Sequence, residues 1–551
     1  MEPYPLVPLN TEARRWTTVD TTHAVLLIAH NITTLSRILD VIDVFDGDPR
    51  IQLTFTSTES DPFRRELSEE IAKTGIVTIP WQQAKATKFD LAITASHHDN
   101  VGEITSPLVI LSHGIGYTKY LHREPRAVFG LSPEWVLRDG KPAAQALVLS
   151  HSDQLKQLSL SAPAAVPAAV VAGDPCFDRI LASLPFRDRY RDALGIGDRS
   201  LVYVSSTWSQ DSALGTRFDL LRDLLAELPR DSYAIATALH PNITHRHGPG
   251  QVRRWFADCL RAGLIILSEI DDWRTGLIAA DLVIGDNGSV TGYGAAIGRP
   301  TLLSAFPDVP DGTPIAELGR SAPRLPARGP VTGPIENALA EHDSQQFAAV
   351  ADQVTSLPGQ AHERLRDLFY EILSLTLPLT ETPSVVLLAP TPPPHRSQTA
   401  DRVTVHVDSG ARLIQLVRRP AELQRDNAAR YLPAAGGHLC CTTDYPMRTM
   451  RERADVLIGR TVDTNGDESA WLQKSLRDNP FCIVAATVDG GRCQALTRSG
   501  EFVTLSTDGS ADALPSLVYA WFETGRPMAA LAPSITAEVG RSRHQITVWP
   551  G

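Results

Sequence analysis

One stretch, Asp271 to Leu303, constrains this chain more than any other. It runs DDWRTGLIAADLVIGDNGSVTGYGAAIGRPTLL and reads as helix, buried strand, glycine-bearing turn, second helix and second strand. Asp271 and Asp272 stand where a helix N-terminus favours negative charge. The apolar run Leu282-Val283-Ile284 is short enough for a parallel strand buried on both faces. Gly285-Asp286-Asn287-Gly288-Ser289 follows at its carboxyl end. Small residues there let a ligand approach the backbone, and the next helix would aim its N–H groups and dipole at an anion. That design suits a nucleotide diphosphate, with Asp286, Gly288 and Ser289 as binding residues. The plainer reading is an ordinary strand–turn–helix in which Asp286 caps the helix.

The same rhythm runs through the first 375 residues. Strands are predicted at Ala24–Ala29, Ile51–Phe55, Gly75–Ile79, Asp90–Thr94, Leu108–Leu111, Ala146–Ser150 and Ala169–Ala172, with a helix from about Thr33 to Val44. A second set follows at Leu201–Val204, Tyr233–Ala236, Leu264–Leu267, Leu282–Ile284 and Thr301–Leu303, with helices at Arg217–Glu227 and in Ser344–Leu375. Strand and helix in alternation imply right-handed crossovers and parallel sheets, whose ligands sit outside the carboxyl ends of the strands. His30, Asn31, His97, His98 and His113 fall at such ends. Thr391-Pro392-Pro393-Pro394 reads as a stiff linker. Beyond it Val403–Val407, Phe481–Ala486 and parts of Gln494–Ser506 read as strands, and Ser469–Arg477 and Pro515–Thr524 as helices.

Further motifs occur in a fixed order. Ser112-His113-Gly114 follows one strand, and Gly173-Asp174-Pro175 with Asp178 follows another. Ser205-Ser206-Thr207-Trp208 and Leu239-His240-Pro241 end the first two strands of the second set. With Asp286…Ser289 these resemble the CDP-glycerol glycerophosphotransferase (teichoic-acid polymerase) family, whose His-Gly-Thr, Gly-x-Pro-x-x-Asp, Ala-Pro-Thr-Trp, Leu-His-Pro and Asp-Tyr-Ser-Ser-Val occur in that order. The motifs cover residues 105–305. Ile115 stands for the family's Thr, Ser209 for its Arg and Tyr293 for an acidic residue, while its Lys is displaced to Lys119. Asp-Asn-Gly-Ser-Val is also similar to a turn of UDP-N-acetylglucosamine 2-epimerases.

The resemblance implies an α/β chain built as a GT-B-like pair of Rossmann-like domains. Residues 1–174 would form the acceptor-side domain and 175–378 the nucleotide-diphosphate-binding domain. Residues 379–400 would be a proline-rich linker, and 401–551 an accessory α+β module that the resemblance does not reach. The implied reaction is a metal-independent transfer of glycerol phosphate or a sugar from a CDP- or UDP-linked donor to a hydroxyl acceptor. His113 would be the base, with an ordinary pKa of ~6.5 suited to that work. His240 would steady the diphosphate, with Ser205, Ser206 and Thr207 on the facing loop. Two other readings are a UDP-sugar 2-epimerase-like enzyme and a catalytically silent nucleotide- or sugar-binding protein whose C-terminal module engages a protein partner.

Composition bounds the rest. A chain of 551 residues suits about three domains at ~150–200 residues each. A formal net charge of −11 argues against nonspecific nucleic-acid binding. No apolar run reaches the length of a membrane span, and Met1 to Trp16 lacks a signal-peptide pattern, so a cytoplasmic protein is expected. The six cysteines lack C-x-x-C spacing and suit reduced thiols. Adjacent His97 and His98 would point to opposite faces and chelate poorly, so neither a metal nor a cofactor is expected.

Overall fold

The computed structural model describes residues 18–58, 64–97, 99–112, 114–117, 120–122, 127–128, 130–379, 386–392, 398–407, 413–424, 437–464 and 466–550. Six strands form the first sheet: β1 (His23–Ala29), β2 (Ile51–Ser57), β3 (Leu91–Thr94), β4 (Leu108–Ile110), β5 (Ala146–Leu149) and β6 (Ala169–Val171). They pair in parallel in the order β6-β5-β4-β3-β1-β2. Continuous apolar runs are required here because helices cover both faces. In β1, Val25, Leu27 and Ala29 join one core cluster and Leu26 and Ile28 the other.

The second sheet is also parallel, with β7 (Ser200–Ser206), β8 (Tyr233–Leu239), β9 (Ile265–Ile266), β10 (Leu282–Gly285) and β11 (Thr301–Leu303) in the order β9-β8-β7-β10-β11. Its strands split in the same way: Val202, Val204, Leu282 and Ile284 face one cluster, Leu201, Tyr203 and Val283 the other. Two Rossmann-like sheets, each covered on both faces, give the architecture expected of the first 375 residues.

Four helices join the two halves: α1 (Ile32–Leu39), α2 (Pro175–Ser183), α3 (Asp272–Ala279) and α4 (Ser289–Ala296). The start of α1 is a capping box, since the Asn31 side chain accepts from Thr34 N at 2.9 Å and Thr34 Oγ1 accepts from Asn31 N at 2.9 Å. α2 begins at Pro175, and the Asp174 carboxylate accepts from Cys176 N and Phe177 N at 3.0 and 3.1 Å. A later helix, α5 (Ala361–Ile372), returns to the first sheet, where Phe369 stacks on Phe45 and Tyr370 donates to Asp48 at 2.9 Å.

Three local expectations change. Gly75–Ile79 makes only one isolated bridge, Phe55 to Thr78, because Pro80 follows and Val77 faces solvent. The helix predicted from Thr33 to Val44 stops at Leu39 and resumes as a 3₁₀ turn, Ile42–Phe45, after Asp40 turns inward. Within the predicted linker, Leu387 is buried, donates its N–H to Ser183 Oγ at 3.0 Å and accepts the Tyr190 hydroxyl at 2.9 Å. That part of the segment is fastened to the body; Pro393 to Ser397 lie outside the described residues.

Residues beyond 400 form a closed nine-stranded barrel. Its strands are β12 (Ala400–Val407), β13 (Leu413–Pro420), β14 (Gly437–Thr442), β15 (Val456–Arg460), β16 (Val484–Asp489), β17 (Arg492–Thr497), β18 (Phe502–Thr507), β19 (Ser534–Val539) and β20 (Ser542–Pro550). β12 pairs with both β13 and β14, which closes the ring. A helix, α6 (Leu514–Glu523), packs Leu517, Val518 and Trp521 into the cluster that holds Ile414, Val484 and Val503.

The barrel docks on the amino end of the second sheet. Arg418 donates to Asp231 at 2.9 and 2.6 Å, Arg230 to Asp401 at 2.7 and 2.9 Å, and Arg230 N to Arg418 O at 3.0 Å. Leu423 enters the apolar cluster of Leu224 and Leu228. Residues 230 and 231 precede β8, so this contact lies at the opposite end of the sheet from Ser206 and Leu239.

Candidate functional site

The carboxyl ends of the two sheets meet at one point. Gly114 and Ile115, just beyond β4, lie on the first turn of α4, and Ile115 N donates to Ser289 Oγ at 3.3 Å. Gly114 has φ +105, and a Cβ there would stand 2.7 Å from Ser289 Oγ, so glycine is required for both reasons. Ile115 is fully buried, and its Cδ1 would be 2.7 Å from a Cβ at Gly292. The residue that replaces the resembled family's Thr therefore fills the space over a glycine of α4.

Asp286 is fully buried at the end of β10. Its Oδ2 accepts from Thr207 N at 2.8 Å, Thr207 Oγ1 at 2.9 Å and Ala213 N at 2.9 Å, while Oδ1 accepts from Gly288 N at 3.0 Å. Burial lifts this carboxyl above its ordinary pKa, and the four hydrogen bonds work against that rise. The carboxylate thus staples the Thr207–Ala213 loop to the Gly288 turn. A Cβ on Gly288 would stand 2.9 Å from Thr207 Cγ2 and 3.1 Å from Asp286 Oδ1. The glycine admits this staple. Ser206 Oγ is similarly occupied, donating to Thr207 O at 2.9 Å and accepting from Leu214 N at 3.0 Å. Ser205 is buried.

Beyond the staple, α4 presents its first turn. The N–H groups of Ser289, Val290 and Thr291 have no acceptor among the described residues. Such groups and the helix dipole together favour an anion.

His240 ends β8 and caps the next helix: its Nδ1 accepts from Asn242 N at 3.1 Å, which places a neutral ring's proton on Nε2. The Trp208 ring lies 6.5 Å away and is 54% exposed at the mouth of the sheet. His245 is on the same helix, with Nε2 2.8 Å from a Glu269 carboxylate oxygen. His113, His98, Lys119 and Arg123 lie outside the described residues.

The joint below this point holds residues that no motif marked. Asp40, at the end of α1, is fully buried and accepts from Arg179 Nη1 of α2 at 2.7 Å and Arg274 Nη2 of α3 at 2.8 and 2.9 Å. Burial alone would raise its pKa; Arg274, Arg179 and Arg37 outweigh burial and hold it below the ordinary carboxylate range. Tyr293 of α4 donates to Asp174 Oδ2 at 2.7 Å, and the Arg37 guanidinium carbon lies 5.7 Å from its ring centre. Four helices from both halves are therefore bound into one polar core.

Other features lie elsewhere. A shallow 740 Å³ depression lined by Ser106, Arg138, Lys141 and Gln145 opens at the amino end of the first sheet, away from these groups. Among the described residues no group of three or more His, Cys, Asp or Glu could hold a metal, and no helix is long and apolar enough to cross a membrane. All six cysteines are buried free thiols.

No family model matches the chain, and neither does any curated protein. Similar solved structures exist. The wall teichoic acid polymerase TagF is 12% identical with a TM-score of 0.44, over 65% of this chain and 90% of that one. A TagF variant soaked with CDPG is 14% identical, with a TM-score of 0.44 over 65% and 89%. HepE of Anabaena in complex with UDP-glucose is 14% identical, with a TM-score of 0.38 over 64% and 99%.

Proposed function

We propose that this chain is a metal-independent transferase that moves glycerol phosphate or a sugar from a CDP- or UDP-linked donor to a hydroxyl. The observation that supports this reading is the meeting of the two carboxyl ends: the first turn of α4, whose N–H groups have no acceptor among the described residues, faces Gly114 and Ile115. The diphosphate would lie on the N–H groups of Ser289, Val290 and Thr291. His240 Nε2–H would supply a further donor.

The chemistry of this reading is group transfer to a hydroxyl. His113 takes the proton of the acceptor hydroxyl as its oxygen bonds to phosphorus, or to an anomeric carbon. The bond to the departing nucleotide breaks, and the charge that develops on it is stabilised by the α4 amides and His240. Asp286, Ser206 and Gly288 act as positioning residues. Ile115 and Tyr293, which seat apolar and aromatic bulk at the joint, favour a second reading as a nucleotide-binding protein without turnover.

A melting-temperature series with CDP-glycerol, UDP-sugars, GDP-sugars and free nucleotides tests the site, because a ligand of the native state raises the midpoint. The proposal expects one base to stand out and His113→Ala to abolish transfer while binding persists. No shift with any nucleotide would sink both readings. A shift without turnover in the wild type would favour the binding protein.

A further inference from the structure

Resting on the nucleotide-diphosphate reading of the α4 turn, we propose that Arg37 of the first half completes an oxyanion site, so that one phosphate is held jointly by α4 and this guanidinium. Arg37 lies on α1, and its side chain is 8% exposed. Its one hydrogen bond among the described residues is a long one, 3.5 Å from Nη1 to Asp40 Oδ2. Nε and Nη2 have no acceptor there. Nη2 lies 4.0 Å from the point where a Gly114 Cβ would stand, and Ser289 Oγ lies 2.7 Å from the same point. The empty Cβ position of one glycine is thus shared by the guanidinium and the start of α4.

Neutralising Asp40 does not require Arg37. Arg179 and Arg274 already make short bonds to both oxygens of that carboxylate. The Tyr293 ring offers only a face to the guanidinium. A guanidinium in a side chain only 8% exposed, with most of its N–H groups unmatched by protein acceptors, is a ready donor for an anion. A phosphate oxygen suits both elements, since it accepts from a planar fork and from helix amides. Because Arg37 belongs to α1 and Ser289 to α4, such a phosphate would bridge the two halves of the protein.

Calorimetric titration of the full chain with CDP, UDP and inorganic pyrophosphate tests this, using wild type, Arg37→Gln, Arg37→Lys and Ser289→Ala. Expected is a tenfold or greater loss for Arg37→Gln with every diphosphate the wild type binds, and an intermediate loss for Arg37→Lys, which keeps charge but not the fork. The dependence of affinity on salt should flatten in Arg37→Gln. Wild-type affinity in both Arg37 variants, with Ser289→Ala weakened, would overturn the role of Arg37 and leave the α4 site standing. Failure of the wild type to bind any of these ligands would overturn the α4 reading itself. If Arg37→Gln does not fold, Arg37→Lys decides alone: reduced affinity supports the proposal and unchanged affinity overturns it.

Discussion

Arg274 and Asp40 are 234 positions apart in the chain, yet their side chains are both fully buried and 2.8 Å apart. One enters the joint from the second half and the other from the first. Removing the carboxylate leaves Arg274, Arg179 and Arg37 without their shared counter-charge. Asp40→Ala should cost roughly 3–5 kcal/mol, the usual result of breaking a buried pair from one side. Chemical denaturation with a far-UV signal measures it; a loss below about 1 kcal/mol would mean that water replaces the carboxylate.

The same group sets an acid limit. Asp40 titrates lower in the folded protein than in the unfolded chain, where a free Asp has a pKa of about 3.9. A depressed carboxylate contributes stability above the unfolded pKa and loses it as pH falls through the folded one. Wild type should therefore weaken steeply below about pH 4, and Asp40→Asn should show less of that slope. Equal slopes in both proteins would assign the acid loss to other carboxylates.

His438 acts in a different window. It is buried in the barrel with Nε2 2.8 Å from Ser516 Oγ and its ring 4.2 Å from that of Tyr519. Burial, with help from Arg402, pushes its pKa down to about 3. The unfolded chain therefore takes up a proton that the folded barrel refuses, so stability falls as pH drops from about 6.5 towards the folded value. Melting midpoints at pH 7 and pH 5 should differ less in His438→Gln than in wild type. An unchanged difference would show that His438 does not govern the acid response.

Asp286 holds three backbone N–H groups and one hydroxyl. Asp286→Ala should lower stability by roughly 3 kcal/mol or more, since it strands three N–H groups that each cost about 1–3 kcal/mol when left unsatisfied. Any nucleotide affinity should fall with it, because the α4 turn loses its support. Retained affinity at a lowered melting point would show that the turn is held by other contacts.

Arg418 and Asp231 fasten the barrel. Their side chains are 15% and 11% exposed, and the pair joins a strand of the barrel to the loop before β8. Arg418→Met should uncouple the two bodies, turning one calorimetric transition into two. A single transition with an unchanged midpoint would mean that the Arg230–Asp401 pair and the apolar seat of Leu423 suffice.

The parallel sheets were legible because their signal is local. Leu282-Val283-Ile284 and Val25 to Ile28 are apolar without alternation, which only a strand covered on both faces tolerates. Turn chemistry was also legible at Gly288, which stands at a helix start as the strand–turn–helix reading expected. Gly75–Ile79 misled because its apolar residues match a strand while Pro80 and an exposed Val77 limit it to one bridge.

Tertiary structure alone decided how these pieces face one another. Local pattern was enough to specify two α/β halves with small residues at Asp286–Ser289, since helix and strand periods and glycine tolerance are properties of neighbouring residues. It could not show that the Asp286 carboxylate would turn inward to Thr207, or that Arg37, Asp40 and Arg274 would converge, because side chains far apart in sequence meet only when sheets pack. Barrel closure is of the same kind: alternation along β12 says which face is buried, but only its pairing with both β13 and β14 makes a ring.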